Sequence, residues 1–400
     1  MKLKHPLTMQ KIAQQRPVMK VLCALLLFAA IVFGMTIPKL YYISEPGFAR
    51  DAGGLIRMPL TSSGDEEAIT GFSGTGSSED GLRPSAKSTN PATNGNKKIN
   101  ENPVPTPGWY YTTIRLDRAN MLQALSAWIG GGEVYTARSV LGGLDEATYM
   151  KRMNRIMLLA LQDAAEAASK EAGIPLKSVS QSVVVESGGA LGEGLKLEVG
   201  DMVLKAGEKP VHEAVGLLTE LDAAFNAEAP MRLEIERDGN RFELEGRVEL
   251  QNLARLSSSK GPQDSRQPSF NELRQLYLPG ESEPLEWGEA GAGGPSAGLM
   301  AALAWYDLLD QGDLLAGRAI AGTGTLDVEG FVGAVGGVAE KVNAAAAAGA
   351  EWFLVPASEA KLAEGAARSV RRNDRTGQEM NIIAVTSLAE AIEMLQSDAL

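Results

Sequence analysis

Residues 293–309 read GGPSAGLMAALAWYDLL, and residues 321–341 read AGTGTLDVEGFVGAVGGVAEK. In the first stretch Pro295 suits the opening position of a helix, where its missing N–H costs nothing, and the apolar run behind it predicts a helix over 295–309. In the second, a strand over 319–326 leads through Gly336-Gly337 into a helix over 338–348. Strands over 352–355 and 381–385, with helices over 359–366 and 388–395, continue the alternation. Such alternation predicts an α/β unit over 285–400.

The same stretches carry candidate chemistry. Gly294-Pro295-Ser296-Ala297-Gly298 has the form of a nucleophile elbow, which requires an acid and then a histidine later in the chain. The only histidines, His5 and His212, both precede Ser296. The elbow reading therefore falls, and a desolvated lysine is the main alternative base. Ser296 sits in a first helical turn, where unbonded amides and the positive end of the helix dipole face an oxyanion. Gly293, Gly294 and Gly298 read as leaving room for a substrate backbone. Lys341 falls in another first turn, before an alanine-rich stretch. Both the dipole and burial there would disfavour its charge. A lysine serving as base at neutral pH needs roughly 4 kcal/mol of such destabilisation.

Upstream of these motifs the chain divides by composition. Residues 21–38 (VLCALLLFAAIVFGMTIP) carry no charge and are long enough to span a bilayer. Five basic residues precede them in a tail over 1–20, whereas only Lys39 follows closely. That bias predicts a single-pass anchor in the cell membrane, with everything after Tyr41 extracytoplasmic, a cleaved signal peptide being the competing reading. Residues 61–108, rich in Ser, Thr, Gly, Asn and Pro, lack any apolar period and read as a disordered linker or a long surface insertion. As a flexible chain they would span roughly 35 to 40 Å. A strand at Trp109–Ile114 and helices over 119–129 and 146–172 fill the region 109–176. Gly173 and Pro175 supply the stop signal.

Residues 177–249 have the strands, Asp238-Gly239 hairpin and single amphipathic helix of a small β-rich domain. Residues 250–283 read as a polar, irregular boundary. They hold Ser257-Ser258-Ser259-Lys260, a formal SxxK without the apolar helix that would desolvate its lysine. Composition narrows the function classes. A net charge of -12 over 400 residues, with no basic stretch beyond the tail, argues against a nucleic-acid partner. A single cysteine, Cys23, allows neither an internal disulfide nor a cysteine-based metal site. No GxxxxGK[ST] is present, so the chain has no phosphate-cradling loop. Neither a metal nor another cofactor is expected.

Taken jointly, Gly294-Pro295-Ser296-Ala297-Gly298, Ala321 to Leu326, Gly336-Gly337 with Lys341, and Ala348-Gly349-Ala350 resemble the proteolytic domain of Lon proteases in order and spacing. The resemblance covers about Leu285–Leu400. It implies Ser296 as nucleophile, Lys341 as general base, Thr323 as the residue holding the lysine, and Gly294, Pro295 and Ala297 in support. Many Lon enzymes have acidic residues where this chain has Gly293 and Thr325. Residues 199–211 (VGDMVLKAGEKPV) resemble a bacterial PDZ domain, a class that binds peptide ends by strand addition. The match implies a carboxylate loop near Gly188, Gly189, Ala190 and Leu191. Together these resemblances imply an α+β chain with a transmembrane helix, a PDZ-like domain and a Lon-type domain. Its implied function is that of a membrane-anchored, ATP-independent serine endopeptidase acting on flexible or unfolded protein segments. Self-association into a homo-oligomeric ring is implied as well. Two rivals stand beside this reading: a catalytically silent PDZ adaptor at the membrane, and a carboxy-terminal-processing-type Ser/Lys protease. The second has its lysine much closer to the serine.

Overall fold

The computed structural model describes residues 40–59, 106–130, 132–249, 268–288, 291, 293–310, 313–373 and 380–397. The first elements are β1 (Tyr41–Asp51), β2 (Gly108–Ala119), α1 (Met121–Ile129), β3 (Val134–Thr136) and α2 (Glu146–Glu171). A β-rich group follows: β4 (Lys177–Ser187), β5 (Met202–Ala206), α3 (Ala214–Asn226), β6 (Pro230–Arg237), β7 (Asn240–Arg247) and β8 (Ser269–Tyr277). The last part alternates α4 (Gly298–Asp310), β9 (Ala319–Gly322), α5 (Val338–Ala347), β10 (Trp352–Pro356), α6 (Ala360–Asn373), β11 (Asn381–Val385) and α7 (Leu388–Gln396).

Six strands form one sheet in the order β11-β10-β9-β2-β1-β3. The β11, β10, β9 and β2 strands run parallel, while β1 is antiparallel to both β2 and β3. Along β10, Phe353 and Val355 enter one apolar cluster and Leu354 the other. A strand apolar on both faces must be covered on both. The α2, α4 and α7 helices contribute to the cluster on one side, and α5 and α6 to that on the other. Charge is absent from α4 until Asp307, and residues 298–306 are all buried. Such a helix belongs between layers rather than on a surface. Its Trp305 is buried, and the indole N–H donates to Ser169 Oγ of α2 at 2.9 Å.

The sheet reaches beyond the expected unit over 285–400. An α/β unit confined to 285–400 would lack β1, β2 and the packing surface of α2, all contributed from before residue 177. Residues 60–105 lie outside the described residues, yet both their flanks sit on this sheet, with Asp51 in register with Tyr110. That placement fits an insertion between neighbouring strands. The 21–38 run also lies outside the described residues, as do Ser257 to Lys260. Among the described residues no helix is long and apolar enough to cross a membrane.

The second sheet is antiparallel, in the order β7-β6-β5-β4-β8, with α3 packed beside it. The boundary expected over 250–283 is corrected here, because residues 269–277 form a strand along the whole of β4. Polar residues hide its period by finding partners on α2. The Arg274 side chain bridges Asp163 and Glu166, and the Gln162 amide bonds both the N–H and the C=O of Arg274. An edge strand capped in this way is closed to further pairing at that point.

The long α2 therefore serves both units. Asp145 caps it, accepting from Thr148 N at 3.0 Å, and Gly173 (φ 73°) ends it as expected. Its first half carries Arg152, buried between Glu198 and Asp238 of the β-rich unit, while Ala164, Ala165 and Ala168 enter the core of the larger sheet. A fragment holding only residues 285–400 should fail to fold, since it lacks two inner strands and α2. Circular dichroism should show no cooperative thermal transition for it, whereas a chain beginning at Leu40 should show one.

Candidate active site

Pro295–Ala297 form one 3₁₀ turn that continues directly into α4. Gly294 precedes it at φ 101°, ψ 159°, a region open essentially to glycine. Its N–H donates to Met153 O of α2 at 3.0 Å. A Cβ on Gly293 would come within 2.5 Å of the Met153 Cβ. Gly293 thus allows close approach of α2, and it also lines the cavity that Ser296 faces. Gly298 likewise packs tightly, against Leu326.

Ser296 is half-buried in this first turn, and Ala297 is buried. The Ser296 carbonyl accepts two hydrogen bonds, from Gly324 N at 3.0 Å and from Thr323 Oγ1 at 3.1 Å. Gly324 O in turn accepts from Leu299 N at 3.1 Å. The loop after β9 is thereby strapped to the start of α4. The amides of Ser296 and Ala297 occupy positions where a helix offers no internal acceptor.

Lys341 comes from the opposite side of the sheet. Gly337, in the left-handed conformation at φ 67°, turns the chain into α5, and Lys341 N donates to the Gly337 carbonyl at 3.0 Å. The side chain is 3 % exposed, and its Nζ donates to Thr323 Oγ1 at 3.0 Å. Burial pushes the amine down from its ordinary 10.5 to about 8, against the pull of Glu359 and Glu340. Thr323, itself wholly buried, is the shared element: one hydroxyl accepts from the lysine and donates to the backbone of the serine residue. Ser296 and Lys341 line one cavity of about 790 Å³, with Tyr111, Ile114, Met153 and Val335 among its walls.

Two carboxylates beside the lysine escaped the sequence reading. Glu340 immediately precedes Lys341, is 9 % exposed, and has its carboxyl pushed up by burial. Glu359 accepts from Val335 N at 3.2 Å. The adjacency of Glu340 to Lys341 in α5 was the available signal for the first. Glu359 has no sequence signal, because the fold alone brings it near.

Residues 287–397 match the model of the Lon protease (S16) C-terminal proteolytic domain. A Lon-type proteolytic domain is present. An archaeal Lon protease of Halobacterium salinarum is 34 % identical over 110 residues, which are 28 % of this chain and 14 % of that protein. The chain therefore spans about a seventh of the length of that relative. The domain supports serine peptidase activity.

The residues expected to hold a peptide carboxylate lie elsewhere, in the β-rich unit. Gly189–Ala190 pair with Lys196–Leu197 in a short hairpin, and Leu191 is wholly buried in that unit's core. A Cβ on Gly188 would sit 3.1 Å from Leu197 O. Gly188 and Gly189 are half-buried at this hairpin, and Ala190 is exposed.

The depressed lysine makes a stability prediction with a definite sign. Between about 8 and 10.5 the unfolded chain holds a proton on this residue that the folded chain has lost, so stability rises with pH across that window. Below it, a buried charge destabilises the fold. Lys341→Met should therefore stabilise the protein by about 3 kcal/mol at pH 7. The gain should fade by pH 10.5, as read from paired urea unfolding curves. A variant less stable than the parent at pH 7 would contradict the assignment.

Proposed function

We propose that the chain is a membrane-anchored, ATP-independent serine endopeptidase in which Ser296 and Lys341 form a catalytic dyad. One observation carries the reading. A buried lysine of lowered basicity shares Thr323 with the backbone of a serine at a helix start, and both residues open into one cavity. Near neutral pH a useful fraction of Lys341 is the free amine, able to take the Ser296 hydroxyl proton. Ser296 Oγ then forms a bond to the scissile carbonyl carbon, and the first-turn amides of α4 stabilise the resulting oxyanion. Collapse of the tetrahedral intermediate breaks the C–N bond, and Lys341 returns its proton to the departing amine. A water molecule, deprotonated by the same amine, releases the acyl group and restores the serine.

The β-rich unit is read as a PDZ-like module that presents or gates substrate ends. The loop over Gly188 to Leu191 is read as the place that holds the peptide carboxylate. The 21–38 run is read as the anchor, with the enzyme facing the extracytoplasmic side. Without a phosphate-cradling loop to power unfolding, flexible or already unfolded segments are the expected substrates. Ring formation is carried over from Lon enzymes.

Full-length protein incubated with a permanently unfolded protein substrate should cleave it, and Ser296→Ala and Lys341→Ala should each abolish cleavage. Equal cleavage by either variant would sink the dyad. The rate should climb with pH as Lys341 loses its proton, with a midpoint near 8. A flat profile between pH 6 and 9 would show that Lys341 is not the base.

A further inference from the structure

The α1 helix reads MLQALSAWI and carries no charge. Its N-terminus is fixed by a capping box in which Asn120 Oδ1 accepts from Gln123 N and Gln123 Oε1 accepts from Asn120 N, each at 2.9 Å. The inner side, with Ala124 buried, packs on β1, β2 and β3. Met121, Leu125, Trp128 and Ile129 point outward, Trp128 at 68 % exposure and Ile129 at 72 %. These positions recur at helical spacing and make one stripe. A contiguous apolar stripe on a surface marks a contact with something apolar.

Connectivity says what lies opposite. Tyr41, the first residue of β1, is in register with Ala119 on one side and Thr136 on the other, so the start of β1 adjoins the residues just before α1. The charge-free run over 21–38 ends only two residues before Leu40, which is itself more than half exposed. Three residues of extended chain reach at most about 11 Å, and neighbouring strands lie about 5 Å apart. The α1 helix is therefore held within a short reach of the place where that run ends. Tryptophan is also the residue best suited to the headgroup level, having an apolar body and a polar N–H.

We propose that the outer face of α1 is a membrane-docking surface that inserts Met121, Leu125, Trp128 and Ile129 into the interface of the phospholipid bilayer entered by the 21–38 run. The proposal rests on the anchor reading above. It adds a second attachment that fixes the orientation of the larger sheet relative to the bilayer, because one anchor segment alone leaves the body free to swivel.

The test uses the full-length chain reconstituted into phosphatidylcholine liposomes, with and without bromine on the acyl chains, alongside Trp128→Phe. Bromine should quench part of the tryptophan emission of the parent, and that quenched part should be missing from Trp128→Phe. The variant should keep parental cleavage activity, which confirms that it folds. Equal quenching of parent and variant, with both floating alongside the liposomes, would overturn the docking surface and leave the anchor standing. Failure of the parent to float would remove both. Dimer cross-linking through Ile129→Cys in a Cys23→Ser background, with no quenching at Trp128, would assign the face to a second copy and overturn the proposal.

Discussion

An ammonium group is out of place where Lys341 sits. With the side chain almost wholly enclosed, the charged form loses its hydration, and neither Glu340 nor Glu359 offsets that loss. The surrounding geometry keeps this amine enclosed beside the cavity that Ser296 also lines. Gly337 permits the turn into α5, and its bare Cα lets Ile114 of β2 close over the approach, for a Cβ there would meet Ile114 Cγ2 at 2.6 Å. Thr323 supplies the polar contact that the amine needs in either protonation state. A serine at the same position could make the hydrogen bond but would leave a gap where the methyl group packs. Valine would fill the gap and leave the amine unpaired.

A second constraint is the shared helix. One half of α2 lies in the core beneath α4, and the other carries Arg152 into a pair of carboxylates in the β-rich unit. Arg274, buried between Asp163 and Glu166, makes the matching connection from β8 back to α2. Buried arginines of this kind tolerate little displacement, since losing their carboxylates leaves the guanidinium without charge compensation. Met153 lies on the same helix and meets both Gly293 and Gly294, next to Ser296. A shift of the β-rich unit along α2 would thus be felt at the turn that aims Ser296.

Much of the site could be read from residues alone, because its requirements are local. Pro295 at a helix start, glycines where a turn needs them, and a lysine in an alanine-rich first turn each leave a mark in the sequence. The helix stop at Gly173 was equally plain. Less visible was everything settled by distant pairing. The β8 strand looked irregular because its polar side chains, Arg274 and Asn271 among them, are satisfied by α2 and not by water. The tyrosine-led β1 segment gave no sign that it would pair with a strand beyond a long polar tract. The close approach of Met153 to Gly293 was hidden for the same reason, since that partner lies on a helix far upstream.

The flanks of residues 60–105 bear on how the molecule is spaced. Both are rooted on the larger sheet, one at the end of β1 and the other at the start of β2. The tract is therefore a side branch of the fold and not a leash placed in series between residue 40 and the cleft. Residue 40 is joined to the cleft through β1, whose Tyr42 and Arg50 both lie on the cavity wall. Lengthening the branch costs closure entropy that grows only logarithmically. Its length and composition can drift without altering the working height of the serine above the chain's point of entry into the fold. Cutting the branch would likewise leave that height unchanged.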